Sequence, residues 1–367
     1  MSRRAVRRWA LPGLALALAL SSVACSPSGP SSAEDALAML DSSIADGDRD
    51  RFDEALDRSI PQSTRDMWWS NLAQLDGVDF EAAADGWQVS WALPGERAAA
   101  TDAVSITTGC AGGLCRITRI EPAASRPAPA WLVEAVDVLT AGGAVLLVGR
   151  GAPDLSAAAA TAAAAVNDSG MPLLDADSDE PLAVEVPATG SAYALVAGRP
   201  TAETQGLGAF TRYGRGAARV VVNPDRAGQW STAQAAVLLT HESVHWRLAG
   251  LGAPVGGNKW VSEGLAEWLG LPRDADELAS SRARAVRACR GSGGASALPG
   301  DEEFSAIDDA DALRGVYARS WAAVSQLVDE NGAETAGQLV GRLWTTPADR
   351  VGGAAGALVR WCAANAP

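Results

Sequence analysis

The chain has only two histidines, and both lie in the stretch HESVH, His241 to His245. Four positions apart, they fall one turn apart on the same face of a helix. Glu242 directly follows the first of them. This is the H-E-x-x-H arrangement, in which two imidazoles bind zinc and the glutamate acts as general base toward a metal-bound water. A catalytic zinc site takes three protein ligands and keeps one position open. After a Gly-rich turn (Gly250, Gly252, Gly256, Gly257) comes WVSEGLAEW, Trp260 to Trp268. Within it Glu263 lies 18 positions beyond His245 (263 − 245), and Glu267 follows one helical turn later.

The elements that must carry these side chains are legible around them. Ser231 with Gln234 three residues later is a capping-box pattern and starts the histidine helix. Ala236, Val237 and Leu239 give that helix its apolar packing, and Gly250 ends it. A second helix carries Glu263 and Glu267 and stops at Gly270-Leu271-Pro272. The two helices are joined by the Gly-rich turn.

Together these motifs resemble the gluzincin metallopeptidases, especially the bacterial peptidase MA-like group, where an HE-x-x-H helix is followed by W-x-x-E-G-x-A-E. The resemblance implies one Zn²⁺ held by His241, His245 and Glu263, and a peptide or protein substrate hydrolysed through metal-activated water. Glu242 is then the catalytic base. Glu267 reaches back to a ligand imidazole and fixes its tautomer, a supporting role outside the metal's own ligands. The stretch GVYARSWAAVSQLVDENG, from Gly315, is similar to the Y-x-x-G/S helix of gluzincins, whose tyrosine donates to the oxyanion of the tetrahedral intermediate. Tyr317 matches that position. The thermolysin-like branch uses a histidine there, and this chain has no third one. The plain alternative is a packed tyrosine with a satisfied hydroxyl; Tyr193 and Tyr213 are its less well placed competitors. The G-x-M-E-N segment of the aminopeptidase branch has no counterpart, so aminopeptidase specificity does not carry over. The resemblance covers residues 131–367 and is most specific at His241 to Glu267.

The remaining chain sets the context. A length of 367 residues suits two domains. The net charge is −14, and the first 24 residues carry Arg3, Arg4, Arg7 and Arg8 without an acid, so the remainder stands near −18 (−14 − 4). Such an acidic chain argues against a nucleic-acid partner. Lys259 is the single lysine. Residues 1–24 read as a signal peptide: an Arg-rich start, then an apolar run from Leu11 to Leu20 that is too short to span a membrane. Ser22-Val23-Ala24-Cys25 resembles a bacterial lipoprotein signal, which implies lipidation of Cys25 and an exported protein anchored to the outer face of the cell membrane. Ordinary cleavage and secretion is the alternative. Residues 25–32 form a Ser/Pro/Gly tether. Four further cysteines, Cys110, Cys115, Cys289 and Cys362, allow three disulfide connectivities or buried free thiols. Pairing Cys110 with Cys115 across GCAGGLC, and Cys289 with Cys362, is the preferred arrangement.

The expected fold class is α+β. Residues 33–121 show three helical patterns and then three alternating segments, WQVSWAL, DAVSITT and CRITRIE. That order loosely resembles an NTF2-like module, with N-terminal helices and a curved antiparallel sheet. Residues 122–130 are a Pro/Ala linker. Residues 131–367 are expected to form the zincin-type domain, with a small sheet and a mostly helical C-terminal part. The segment 218–224, ARVVVNP, reads either as the strand bordering the substrate cleft in this family or as another core strand. The competing functional reading is a non-catalytic, zinc-containing surface lipoprotein with a binding or scaffold role.

Overall fold

The computed structural model describes residues 29–84, 86–175, 179–204, 206–214, 216–291, 297–305 and 309–366. The expected signal peptide and Cys25 lie outside the described residues. The architecture is α+β, with two sheets among the described residues. The first is an antiparallel meander of β1 (Asp76–Ala83), β2 (Gly86–Ala92), β3 (Ala100–Ala111) and β4 (Leu114–Pro122). The second has the order β5 (Val136–Ala141), β6 (Ala144–Gly149), β7 (Leu182–Val186), β9 (Ala218–Val222), β8 (Ala209–Tyr213). In it β6–β7 and β7–β9 pair in parallel, while β5 and β8 run antiparallel at the edges.

Helices Ala33–Asp46, Arg49–Ala55 and Gln62–Leu72 precede the first sheet. The first starts in a Ser32–Asp35 capping box and ends at Gly47 in the left-handed region (φ 67°). Its buried residues Leu37 and Leu40 join Val89, Trp91, Val104 and Ile117 of the sheet in one core. β1 escaped the sequence reading because only Phe80 of its eight residues is buried, so DGVDFEAA carries no apolar alternation.

The central parallel strands of the second sheet bury both faces, which is why β6 reads as a continuous apolar run and β7 as one broken only by Glu185. Alternate residues serve different cores. Val145, Leu147, Ala183 and Val221 face the first module and share its core with Trp131 and Tyr193. Leu146, Val184, Val220 and Val222 face the Ala-rich helix Ser156–Asn167 and the helix Thr232–Leu248. The Pro/Ala stretch 122–130 is itself packed: Ala128 and Ala130 are buried, and the Ala128 N–H donates to the Leu195 carbonyl. The core under the first sheet therefore continues across this stretch into the second.

Charge crosses the same boundary. Arg212 and Arg219, both buried, meet Glu185 at 2.7 and 3.5 Å. Arg212 also meets Asp102 of β3 at 3.3 Å, and Arg219 binds Glu96, in the turn after β2, through two hydrogen bonds of 3.0 and 2.6 Å. The Arg219 guanidinium lies 3.6 Å from the Trp91 ring centroid.

Two predictions concern this frame. Asp41 accepts a hydrogen bond from the Phe80 N–H (3.1 Å), yet burial pushes its carboxyl up to about 7, with Asp79 adding to the rise. The unfolded chain ionises near the ordinary value of 3.8. Between these limits the folded state holds the extra proton, so stability falls as pH rises from roughly 4 to 7. Asp41→Asn is expected to raise the melting temperature at pH 8 and to leave it unchanged near pH 4; equal melts of both proteins at pH 8 would refute this.

The structure contains the disulfides Cys110–Cys115, closing the β3–β4 hairpin, and Cys289–Cys362. The second ties helix Ala275–Arg290 to helix Ala357–Asn365 across a sequence separation of 73. Replacing both of its cysteines by serine should cost ~2–4 kcal/mol in urea unfolding, and the hairpin pair less, because the loop it closes is short. Equal losses from the two pairs would contradict the chain-entropy account.

Candidate metal centre

The histidine helix is Thr232–Leu248, and its start is the expected capping box: Ser231 accepts from the Gln234 N–H while the Gln234 side chain accepts from the Ser231 N–H. Ala235, Ala236 and Leu239 bury its inner face under the second sheet. The glutamate helix, Lys259–Gly270, crosses it at Gly270, where a Cβ would sit 2.9 Å from the Val237 carbonyl oxygen. Its other close approach is at Gly264, where a Cβ would stand 2.4 Å from the Ser320 carbonyl oxygen of helix Ala310–Thr345. Gly264 thus lets two helices touch backbone to backbone and sets how far Glu263 reaches.

The start of the glutamate helix is clamped by residues the sequence reading did not single out. Asp301 accepts from the N–H groups of Gly257 and Lys259 at 2.8 and 2.9 Å. Asn258 donates to the carbonyls of Leu343 and Thr346 at 2.6 and 2.9 Å.

These crossings bring three donor atoms together. His241 Nε2 and His245 Nε2 are 3.2 Å apart, and Glu263 Oε2 lies 3.4 Å from the first and 3.3 Å from the second. Ligands about 2.0–2.1 Å from a tetrahedral zinc stand roughly 3.3–3.4 Å from one another. The three edges match that spacing, and the His₂Glu donor set suits zinc, so the residues fit the metal. This is the cluster of at least three His, Cys, Asp or Glu side chains among the described residues with metal-ligand spacing.

The surrounding acids have distinct posts. Glu267 Oε1 lies 3.2 Å from His241 Nδ1, on the side of the ring away from the cluster. Glu242 is buried, and the Thr211 hydroxyl lies 2.8 Å from its Oε2 and 3.0 Å from its main-chain oxygen. Burial alone would lower the pKa of His241; its hydrogen bonds to Glu263 and Glu267 outweigh that and hold it well above the ordinary value. Burial alone would raise the carboxyl of Glu263, but the two histidines hold it well below the usual range.

Tyr317 packs its ring on those of His241 and Phe304, with centroids 6.0 and 5.7 Å away. Burial, then the charges of Glu263, Glu267 and Glu242, push its hydroxyl pKa up, so it stays a proton donor. Tyr213, exposed on β8, lines the same cavity. Tyr193 is fully buried, its ring 6.0 Å from that of Phe210.

The cluster opens into a cavity of about 700 Å³ walled by Tyr213, Lys259, Ser262, Asp301, Tyr317 and Trp344. A second, of about 420 Å³, meets it at Ala209, His241, Glu242 and Tyr317 and extends toward Trp230 and Arg226. The sheet edge along this cleft is β8, not the strand of segment 218–224: β9 lies between β7 and β8 and is a core strand. The reading of 218–224 as the cleft border is corrected accordingly. The true border, AFTRY, is only five residues long and mixes polar with apolar positions on both faces, so periodicity gave no signal. Comparison of the chain with protein-family models, with curated proteins and with solved structures gave no match, so the site rests on its own residues and geometry.

Proposed function

We propose that this chain is an extracytoplasmic zinc metallopeptidase of gluzincin type, anchored to the membrane through a lipid on Cys25, that hydrolyses peptide bonds. The observation that carries the reading is the 3.2–3.4 Å triangle of His241, His245 and Glu263 donors with the buried Glu242 beside it. Two disulfides suit an oxidising compartment, and among the described residues no helix is long and apolar enough to cross a membrane.

When bound, zinc supplies a positive charge that lowers the pKa of a coordinated water to about 7 and polarises a carbonyl. The chain's own groups do the rest. Glu267 takes the Nδ1 side of His241, which leaves Nε2 for the metal. Thr211 engages one carboxylate oxygen of Glu242, leaving the other to take a proton from the attacking water and return it to the leaving amine. Tyr317 donates to the oxygen on which negative charge develops. β8, at the sheet edge, offers backbone groups to an extended peptide by strand addition.

Metal content tests the reading most directly. The mature chain is expected to hold about one zinc, lost in both His245→Ala and Glu263→Ala. A folded wild-type chain that takes up no zinc would end the enzyme reading.

A further inference from the structure

The only lysine in the sequence, Lys259, lines the metal cavity. It opens the glutamate helix, four residues before Glu263, and so stands one turn, about 6 Å along the axis, from a metal ligand on the same face. Its ammonium sits 5.2 Å from the Phe304 ring centroid. Phe304 packs on Tyr317, and Tyr317 on His241, so a row of rings ties the lysine to the metal cluster. No described carboxylate forms an ion pair with this ammonium, whereas Arg212, Arg219, Arg319 and Arg360 each hold one. Asp301, also in the cavity wall, is engaged by the main-chain N–H groups of Gly257 and Lys259. A half-buried cation set on an aromatic face, in a cavity lined mostly by apolar and neutral side chains, is suited to an incoming carboxylate.

We propose that Lys259 is a specificity-determining residue that binds a substrate carboxylate within one or two residues of the cleaved bond. The proposal rests on the metallopeptidase reading above. The distance follows from geometry: one helical turn between Lys259 and Glu263 corresponds to about two residues of extended peptide, at ~3.3 Å each. The same chemistry is offered by an Asp or Glu side chain inside a chain and by a free chain end. The cavity therefore selects acidic peptides or C-termini, although the protein itself is acidic.

The test uses the zinc-loaded full mature chain and three dipeptide hydroxamates, read by calorimetry. One carries a Glu side chain and an amidated end, one a Leu with a free carboxylate, and one a Leu amide with no charge. Wild type is expected to bind one of the charged probes about tenfold more tightly than the neutral one, as for a hydrogen bond to a charged group. Preference for the Glu probe identifies an acidic side chain as the ligand; preference for the free-acid probe identifies a chain terminus. Lys259→Met, which keeps an unbranched chain against Phe304, should bring the favoured probe to the neutral probe's affinity, and Lys259→Arg should restore most of the difference. Equal affinity of all three probes for wild type, or an unchanged preference in Lys259→Met, overturns the assignment while leaving the metal site intact. Failure of every probe to bind the zinc-loaded chain overturns the metallopeptidase reading and this inference with it.

Discussion

Glu242→Gln is expected to retain wild-type zinc content and to lose peptide hydrolysis by roughly 10²–10⁴-fold. Glutamine keeps the volume of the side chain and an oxygen that can accept from the Thr211 hydroxyl, so the buried contact at 2.8 Å survives. It removes the one property the proposed reaction needs there, the ability to take up a proton. The proposed ligands His241, His245 and Glu263 are untouched, so metal content separates loss of chemistry from loss of the site. Metal analysis run beside a peptide-cleavage assay on the same preparation decides the matter. A variant that keeps both zinc and full activity would remove Glu242 from the mechanism.

How much of this site was legible in the sequence differs sharply between its parts. The proposed ligands and base show through because the spacing 241, 242, 245 is a local property of one helix, and helices map spacing onto faces. Glu263 was reachable because its helix follows after a short turn. Thr211, Asn258 and Asp301 were not, since each acts through a contact set by tertiary structure. Thr211 meets Glu242 from 31 positions away, and Asp301 meets Lys259 from 42. A single Thr in AFTRY carries no mark of that role. Gly264 did carry one: a glycine inside a helical pattern signals close packing, here against Ser320. The order of helices and then strands in the first module was readable from periodicity, but the continuity of its core with the second sheet was not. Val145 and Leu147 look like any buried strand residues until the partner surface is known.

That continuity makes the first module a structural support of the candidate metal site, and Glu96→Ala should expose it. Glu96 is the bidentate partner of Arg219, and the two side chains are 2 % and 1 % exposed. Removing one member of a buried, hydrogen-bonded pair strips the other charge of its best partner and typically costs ~3–5 kcal/mol. Against a total stability on the order of 5–15 kcal/mol, that is a large share. Glu185 still meets Arg219, but at 3.5 Å, a poorer partner than the two bonds of 3.0 and 2.6 Å lost with Glu96. The effect should reach the site through β8. Successive residues of a strand point to opposite faces: Arg212 meets Asp102 of the first module, while Thr211 meets Glu242 on the other side. Glu96→Ala is therefore expected to lower both the urea midpoint and the zinc affinity. Glu121→Ala, which breaks only the exposed pair with Arg119, should stay within about 0.5 kcal/mol of wild type. The double variant Glu96→Ala with Arg219→Met, which removes the under-bonded guanidinium as well, should recover part of the loss. If Glu96→Ala unfolds at the wild-type midpoint, the first module is a passenger and the second sheet holds the site alone.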